Sequence, residues 1–372
     1  MAVRLADGGE KKVAMAGDED RIGVLPDDVS QLLLSFLPSR DAVRTCVLAT
    51  RWRTLWKSVP SLRTDTSNWM CAHDSNRFVN NLLHYRDRTA PLDVCEISSY
   101  DDEDDDEGCL YIEQWVQYAV SCKARDGSVD LSSCHALEVL KVQDCVLNLV
   151  GVFSKSLRRL KIARSHHLTR TYCTSISAPG LVDLELTNCS YWTLVLESLP
   201  SLVTAFIFIG EKDECAVCYS SSNDSSEESY DEADDRDDCV TLQGLADATD
   251  LKLITRSPMD FLNGLEDCSV FSKLKTLLLN EWCVAANFTG LVYFLQHSPN
   301  LERLRLEPDG AEEFASESEI CESYNPREHF WVSKHLKVVK ILYCGEDEII
   351  DQIRKILCTH GVPPELIDIE YH

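Results

Sequence analysis

LRRLKI, residues 157–162, sets Leu157, Leu160 and Ile162 at steps of three and then two. Side chains two apart on an extended chain share a face, so Leu160 and Ile162 belong to the buried side of a short strand, with Leu157 in the turn that leads into it. The same L-x-x-L-x-L spacing, with other small or apolar residues at the second and third sites, occurs at Leu137-Leu140-Val142, Leu181-Leu184-Leu186 and Leu202-Ala205-Ile207. It returns at Leu274-Leu277-Leu279, Leu301-Leu304-Leu306 and Leu336-Val339-Ile341. Starts lie 20, 24 and 21 residues apart, then 72, 27 and 35. One such unit cannot bury its own apolar edge; stacked units share a core and pair their strands in parallel.

This spacing resembles the leucine-rich repeat, which implies an α/β solenoid of parallel strands and helices. The resemblance also gives a role to Cys145, Cys189 and Cys344, each three residues after a third apolar site, where that repeat carries a compact Asn or Cys inside its turn. Val240 to Leu253 supplies a further helix and strand within the 72-residue gap, and Leu92 to Ile97 reads as a strand after a helix over Arg77 to Arg88. Cys109 to Cys122 reads as another helix, followed by a brief strand at Val129-Asp130-Leu131. Glu348 to Leu357 is an amphipathic helix expected to cover the open end of the array. Alternate strand residues face the recognition surface. They are Arg159 and Lys161, Asp183 and Glu185, Phe206 and Phe208, Thr276, Leu278 and Asn280, then Arg303 and Arg305. Among these, Arg159, Lys161, Phe206, Phe208, Asn280, Arg303 and Arg305 are the candidate substrate contacts, aromatic and Arg side chains being those that dominate interfaces. For Phe206 and Phe208 a second reading stands beside this one: a neighbouring loop covers them.

Ahead of the repeats runs Ile22 to Leu62, IGVLPDDVSQLLLSFLPSRDAVRTCVLATRWRTLWKSVPSL. Pro26 suits a first helical turn, with Asp27 and Asp28 at the positive end of the dipole. Val29, Leu33 and Leu37 continue at steps of four, flanked by Leu32, Leu34 and Phe36, an apolar stripe wider than one core can use. Pro38 stops that helix, Ser39 and Asp41 start a second, and Trp52, Leu55 and Trp56 follow among Arg51, Arg53 and Lys57 in an anchor pattern. Leu25-Pro26-Asp27-Asp28, Leu33-Leu34-Ser35-Phe36-Leu37-Pro38, Arg40 to Leu48 and Arg51-Trp52-Arg53 with Leu55-Trp56 strongly resemble the plant F-box. The resemblance implies three helices that dock onto a Skp-family adaptor and through it a cullin, by way of Leu25, Pro26, Val29, Leu33, Leu37, Pro38, Val47, Trp52, Leu55 and Trp56. Ser30 and Ala49-Thr50 depart from the family pattern and bear on the strength of docking. Phe271 to Leu274, Leu291 to Leu306 and His335 to Leu357 are similar to the FBD region that closes many plant F-box proteins.

The resulting organisation is a disordered leader at 1–20, an F-box at 21–62, a helix-strand lead-in at 63–135 with an acidic loop at 101–107, and repeats over 136–372. An acidic insertion at 211–238 and the FBD-like region from about 271 fall within the last part. The net charge of −26 is uneven: residues 101–107 hold −7 and residues 211–238 hold −10. Such a chain is repelled by nucleic-acid phosphates and anionic lipid. No apolar run approaches the 18 or so residues of a membrane span, and the first twenty residues lack the apolar core of a secretory signal. Seventeen cysteines, with no sign of an oxidising compartment, read as reduced thiols, and Cys215-Cys218 is the one CxxC, without a second pair. His166-His167 would point to opposite faces of a strand, so no metal or other cofactor is expected. No phosphate loop or catalytic motif stands out. The expectation is a non-catalytic substrate-recruiting subunit of a cullin-based ubiquitin ligase in nucleus or cytoplasm, with a protein target and room for a small ligand. The alternative is a leucine-rich interaction scaffold without ligase recruitment.

Overall fold

A computed structural model of the chain describes residues 24–371 apart from 66–68, 70–71, 99–114, 116–127, 132–133, 145, 148–150, 168–172, 191–192, 198, 211–239, 258, 263–264, 266–269, 309–333 and 344–346. The leader, both acidic tracts, Cys145, Cys344, Cys215-Cys218 and the helix expected over Cys109 to Cys122 (Trp115 excepted) lie outside the described residues.

The repeat leucines fall on parallel strands laid side by side in chain order. They are β1 (Ser61–Asp65), β2 (Val94–Ser98), β4 (Val139–Gln143), β7 (Arg159–His167), β9 (Asp183–Ser190) and β11 (Thr204–Ile209), then β13 (Asp250–Thr255), β14 (Thr276–Asn280), β15 (Arg303–Glu307), β16 (Val338–Tyr343) and β17 (Ile367–Tyr371). A short β5 (Val146–Leu147) joins β7 at its side. Register places Leu140, Leu160, Leu184, Ala205, Leu251, Leu277, Leu304 and Val339 in one line across the sheet. None of them is more than 3% exposed, because each packs between the leucines of the strands on either side. Before each strand the turns repeat as well. From Asp93 N on Pro60 O to Lys337 N on Glu302 O, a ladder of backbone hydrogen bonds of 2.8–2.9 Å ties each approach turn to the preceding one. The strand expected near Leu253 is β13; Ala248, fully buried, stands where the other copies carry their first leucine.

On the other side of the core the spacing decides what the chain forms. Units of 20 to 24 residues are too short for a strand, two turns and a full helix. Here they make a second parallel sheet, in the order β12 (Val240–Thr241), β10 (Thr193–Leu196), β8 (Cys173–Ser177), β6 (Gly151–Phe153), β3 (Ser128–Asp130). Threonine, valine and isoleucine at these positions suit strands. Longer units carry helices, as expected: α4 (Ala72–Tyr85), a single turn α5 (Met259–Leu262), α6 (Ala285–His297) and α7 (Asp347–Thr359). Side chains from both sheets and from these helices join one continuous core. In α6, Gly290 makes room for Trp282: a Cβ there would lie 2.4 Å from the indole, whose Nε1 donates to Leu253 O at 3.1 Å.

The C-terminal end differs from expectation. Ile349, Ile350, Ile353 and Leu357 are buried, so α7 is amphipathic as expected, yet it connects two strands and does not cover the sheet's open edge. Gly361, at φ 89°, turns the chain back in a conformation that favours glycine, and β17 pairs with β16. The alternation Ile367, Asp368, Ile369, Glu370 is the strand signal that the longer helical pattern overshadowed.

Candidate functional site

Ahead of β1 lie α1 (Asp27–Ser35), α2 (Ser39–Arg44), a 3₁₀ turn (Thr45–Val47), α3 (Trp52–Leu55) and a second 3₁₀ turn (Trp56–Ser58). Pro26 and Pro38 stand as the N-caps of α1 and α2, with Asp27 and Asp28 in the first turn of α1. Arg51 reaches back to tie that end down: its guanidinium donates to Asp27 Oδ1 at 2.6 and 2.9 Å and to Leu25 O. Their own core is five side chains, Leu34, Ala42, Trp52, Leu55 and Val59. The other end is fixed to the large sheet. Ser35 O, a helix-terminal carbonyl without an intrahelical partner, accepts from Ser61 Oγ at 2.8 Å and Arg63 Nε at 3.0 Å, and Arg63 N donates to Ser39 Oγ at 2.9 Å.

The richer face of α1 is turned outward. Val29, Leu32, Leu33, Phe36 and Leu37, at helical steps of three and four, are all exposed, Phe36 at 70%, while the helix buries only Ser30 and Leu34. Val24, Val47 and Leu48 extend the apolar surface, and these eight account for most of the twelve large apolar side chains exposed among the described residues. Leu25 is half-buried and Pro26 and Pro38 are exposed beside this stripe. Trp52 and Leu55 are not part of it. At 6% and 5% exposure they fill the small core, and Trp56 packs toward the large one, so the anchor these rings provide is internal. Sequence reasoning missed Val24, Leu32, Phe36 and Leu48 as surface contacts; the signal was the stripe's own width. Ser30 is fully buried and its hydroxyl finds no hydrogen-bond partner, whereas Ala49 and Thr50 are exposed.

Along the outward face of the large sheet, one register line reads Arg63, Glu96, Lys141, Lys161, Glu185, Phe206, Lys252, Leu278, Arg305, Lys340. Glu96 accepts from Lys141 at 2.8 Å and from Arg63, and Lys161 meets Glu185 at 2.7 Å. Burial opposes ionisation of Glu96, but the hydrogen bonds from Lys141 and Arg63 outweigh it and hold its carboxyl below the usual range. Arg159, Arg303 and Arg305 are exposed. Arg303 donates to Thr276 Oγ1 at 3.0 Å, and Arg305 pairs with Glu307 at 2.6 Å. Phe206 and Phe208 face outward but are half-buried, and the Lys252 ammonium lies 5.7 Å from the Phe206 ring centre, a cation–π contact. The expectation for Asn280 is overturned. It is buried at the last residue of β14, where its Oδ1 accepts from Thr255 N at 3.1 Å and its Nδ2 donates to Thr255 O at 2.8 Å.

Among the described residues no group of histidine, cysteine and acid side chains could hold a metal ion. Cys95 and Cys189 are free, fully buried thiols, and burial pushes both up to about 12. Cys189 lies on β9, where a turn position was expected, with its Sγ 3.6 Å from Ile162 O and 3.7 Å from Thr187 O. No described helix is long and apolar enough to cross a membrane.

Comparison with known proteins places an F-box domain at residues 22–64. An FBD-associated F-box protein of Arabidopsis thaliana is 31% identical over 157 residues, 37% of this chain and 33% of the relative. Two F-box/FBD/LRR-repeat proteins of the same plant are 28% identical over 191 residues (51% of this chain, 40% of the relative) and 30% over 217 residues (50% and 46%). The matched part of the chain thus spans a third to just under half of the length of these relatives. With the outward stripe of α1 inside the matched domain, the chain carries an F-box domain and is similar to the F-box/FBD/LRR-repeat proteins of plants.

Proposed function

We propose that the chain is the substrate-recruiting subunit of a Skp–cullin–F-box ubiquitin ligase, non-catalytic itself. The observation that carries this reading is the stripe Val29, Leu32, Leu33, Phe36 and Leu37, apolar side chains left in solvent by a helix that had an inward alternative. Exposed contiguous apolar surface of this kind marks a partner site. In this reading, the Skp-family adaptor covers α1 and the 3₁₀ turn at Val47, and the cullin joins through the adaptor. The strands form a leucine-rich-repeat solenoid, and the open face of its large sheet holds the target protein. Arg159, Lys161, Phe206, Phe208, Arg303 and Arg305 line that face and Asn280 fixes the strand edge beneath it. The nucleus and the cytoplasm are the compartments where such a ligase would work.

The test is reconstitution. The full chain mixed with a plant Skp-family adaptor and its cullin is expected to elute as one complex in size-exclusion chromatography. Separate elution of the full chain would favour the second reading, a leucine-rich scaffold without ligase recruitment.

A further inference from the structure

Where the F-box meets the large sheet there is an open cavity of about 570 Å³, with Phe36 and Pro38 on one rim and strands β1, β2, β4 and β7 as its floor. Its size falls in the range of ligand sites. Four cations, Arg63, Lys141, Lys161 and Arg164, line it with three carboxylates, Asp65, Glu96 and Asp144, a net positive lining in a molecule whose net charge is −26. The arrangement on the floor is unusual in one respect. Lys141 and Lys161 are register partners on adjacent parallel strands, so their Cα atoms lie about 4.8 Å apart, and like charges directly opposite destabilise a sheet. Each ammonium leans away from the other to a carboxylate on the far side, Lys141 to Glu96 and Lys161 to Glu185. The line of charges is therefore acid, base, base, acid. An ammonium has three donors, and a single oxyanion set between the two lysines would receive hydrogen bonds from both and relieve their repulsion.

The rim adds a fourth cation. Arg164 and Asp144 pair across the mouth, Nη2 to Oδ2 at 2.8 Å. Both hold left-handed backbone, φ 46° and 55°, as Asn188 does at the same place in the next repeat, so that conformation belongs to the repeat.

We propose that this cavity is the acidic-residue subsite of the target-binding face: a carboxylate side chain from an acidic segment of the bound protein enters between Lys141 and Lys161, with the Arg164 guanidinium at the mouth. The inference rests on the target-holding role proposed for this face, and it names the chemistry of the segment held. Beyond the cavity the face carries Lys252 and Arg303, with Arg305 and Lys340 paired to Glu307 and Glu370, so it is of mixed sign and less acidic than the whole molecule.

The experiment is fluorescence anisotropy with the full chain and a labelled oligoglutamate peptide, run beside inorganic phosphate as competitor. Nonspecific attraction is small, because protein and probe both carry strong negative charge. Binding is expected, weakened at least tenfold by the pair Lys141→Gln and Lys161→Gln, and left within twofold by Lys355→Gln, an exposed residue of α7 off the sheet face. Circular dichroism of the double variant should match the parent. Absence of peptide binding, equal binding by the double variant, or displacement by phosphate as readily as by unlabelled peptide would each overturn the proposal, the last by making the cavity a site for a small free anion. Adaptor co-elution of the same double variant keeps the two ideas apart. If it co-elutes while peptide binding fails in the parent, the subsite is wrong and ligase recruitment stands; peptide binding without adaptor co-elution would leave the subsite standing and ligase recruitment wrong.

Discussion

Leucines of the large sheet and leucines of α1 obey the same kind of spacing and end in opposite places. Leu160, Leu184, Leu277 and Leu304 are at most 1% exposed, each roofed by the next strand, and the core grows with every repeat added. Leu32, Leu33 and Leu37 are exposed, because three short helices have only five side chains of their own to bury and the sheet takes hold of α1 through polar groups at its end. An amphipathic pattern thus states that a face will be covered, without stating by what. In the stack the cover is the chain itself. On α1 the described residues leave the face uncovered, and in the proposed reading an adaptor covers it, which would separate the part that stabilises the molecule from the part that connects it.

Substitutions that trade one region against the other sharpen this contrast. Leu277→Ala, in the middle of the stack, is expected to cost about 2–5 kcal/mol through lost burial and the cavity left behind, read as a lower urea midpoint with adaptor binding intact in buffer. Leu33→Asp with Phe36→Asp should do the reverse. Stability would move by no more than about 0.5 kcal/mol, the usual range for surface changes, while adaptor affinity falls by about a hundredfold. Asn280→Ala removes both hydrogen bonds to the Thr255 backbone, for about 1–3 kcal/mol of lost stability, where a surface contact would have shown almost none. Ser30→Ala takes away a hydroxyl that is buried and unpaired, so the F-box should gain about 1 kcal/mol and keep its adaptor affinity. A loss of adaptor binding in that variant would place Ser30 on the docking face.

Alkaline stability gives a further separation. Cys95 and Cys189 carry pKa values near 12 in the fold against 9.0 for an ordinary thiol, with burial as the cause. Below about pH 9 both folded and unfolded chains keep the proton and the full stability is present. Above it the unfolded chain ionises first, so each thiol removes about 1.4 kcal/mol per pH unit until the folded value is reached. Urea midpoints should therefore fall between pH 9 and 10 for the parent, and fall less steeply in Cys189→Ala. Equal slopes would mean that Cys189 is solvated.

Much of this was legible in the sequence, and the failures share a cause. The L-x-x-L-x-L spacing located strands whose register the structure follows residue by residue, because period and burial are tied together on a strand. β13 escaped full recognition since Ala248 replaces the first leucine, and with it went Lys252, the residue that lies over Phe206. Asn280 was misread because alternation alone does not show that the Thr255 backbone of the neighbouring strand takes up its amide at the end of β14. Trp52 and Leu55 were misread because a large ring suits a partner's surface and a small core equally well, and only packing decides. Ile367 to Tyr371 was overlooked beside the stronger helical pattern of α7.

The most direct test of the central claim is titration calorimetry of a Skp-family adaptor into the full chain and into the Leu33→Asp, Phe36→Asp double variant, with urea unfolding of both. If the outward stripe is the docking face, the parent binds and the double variant loses about two orders of magnitude in affinity at an unchanged unfolding midpoint. Equal affinity for the two chains would contradict the account, and would return α1 to the role of a helix whose exposed leucines serve no partner of this kind.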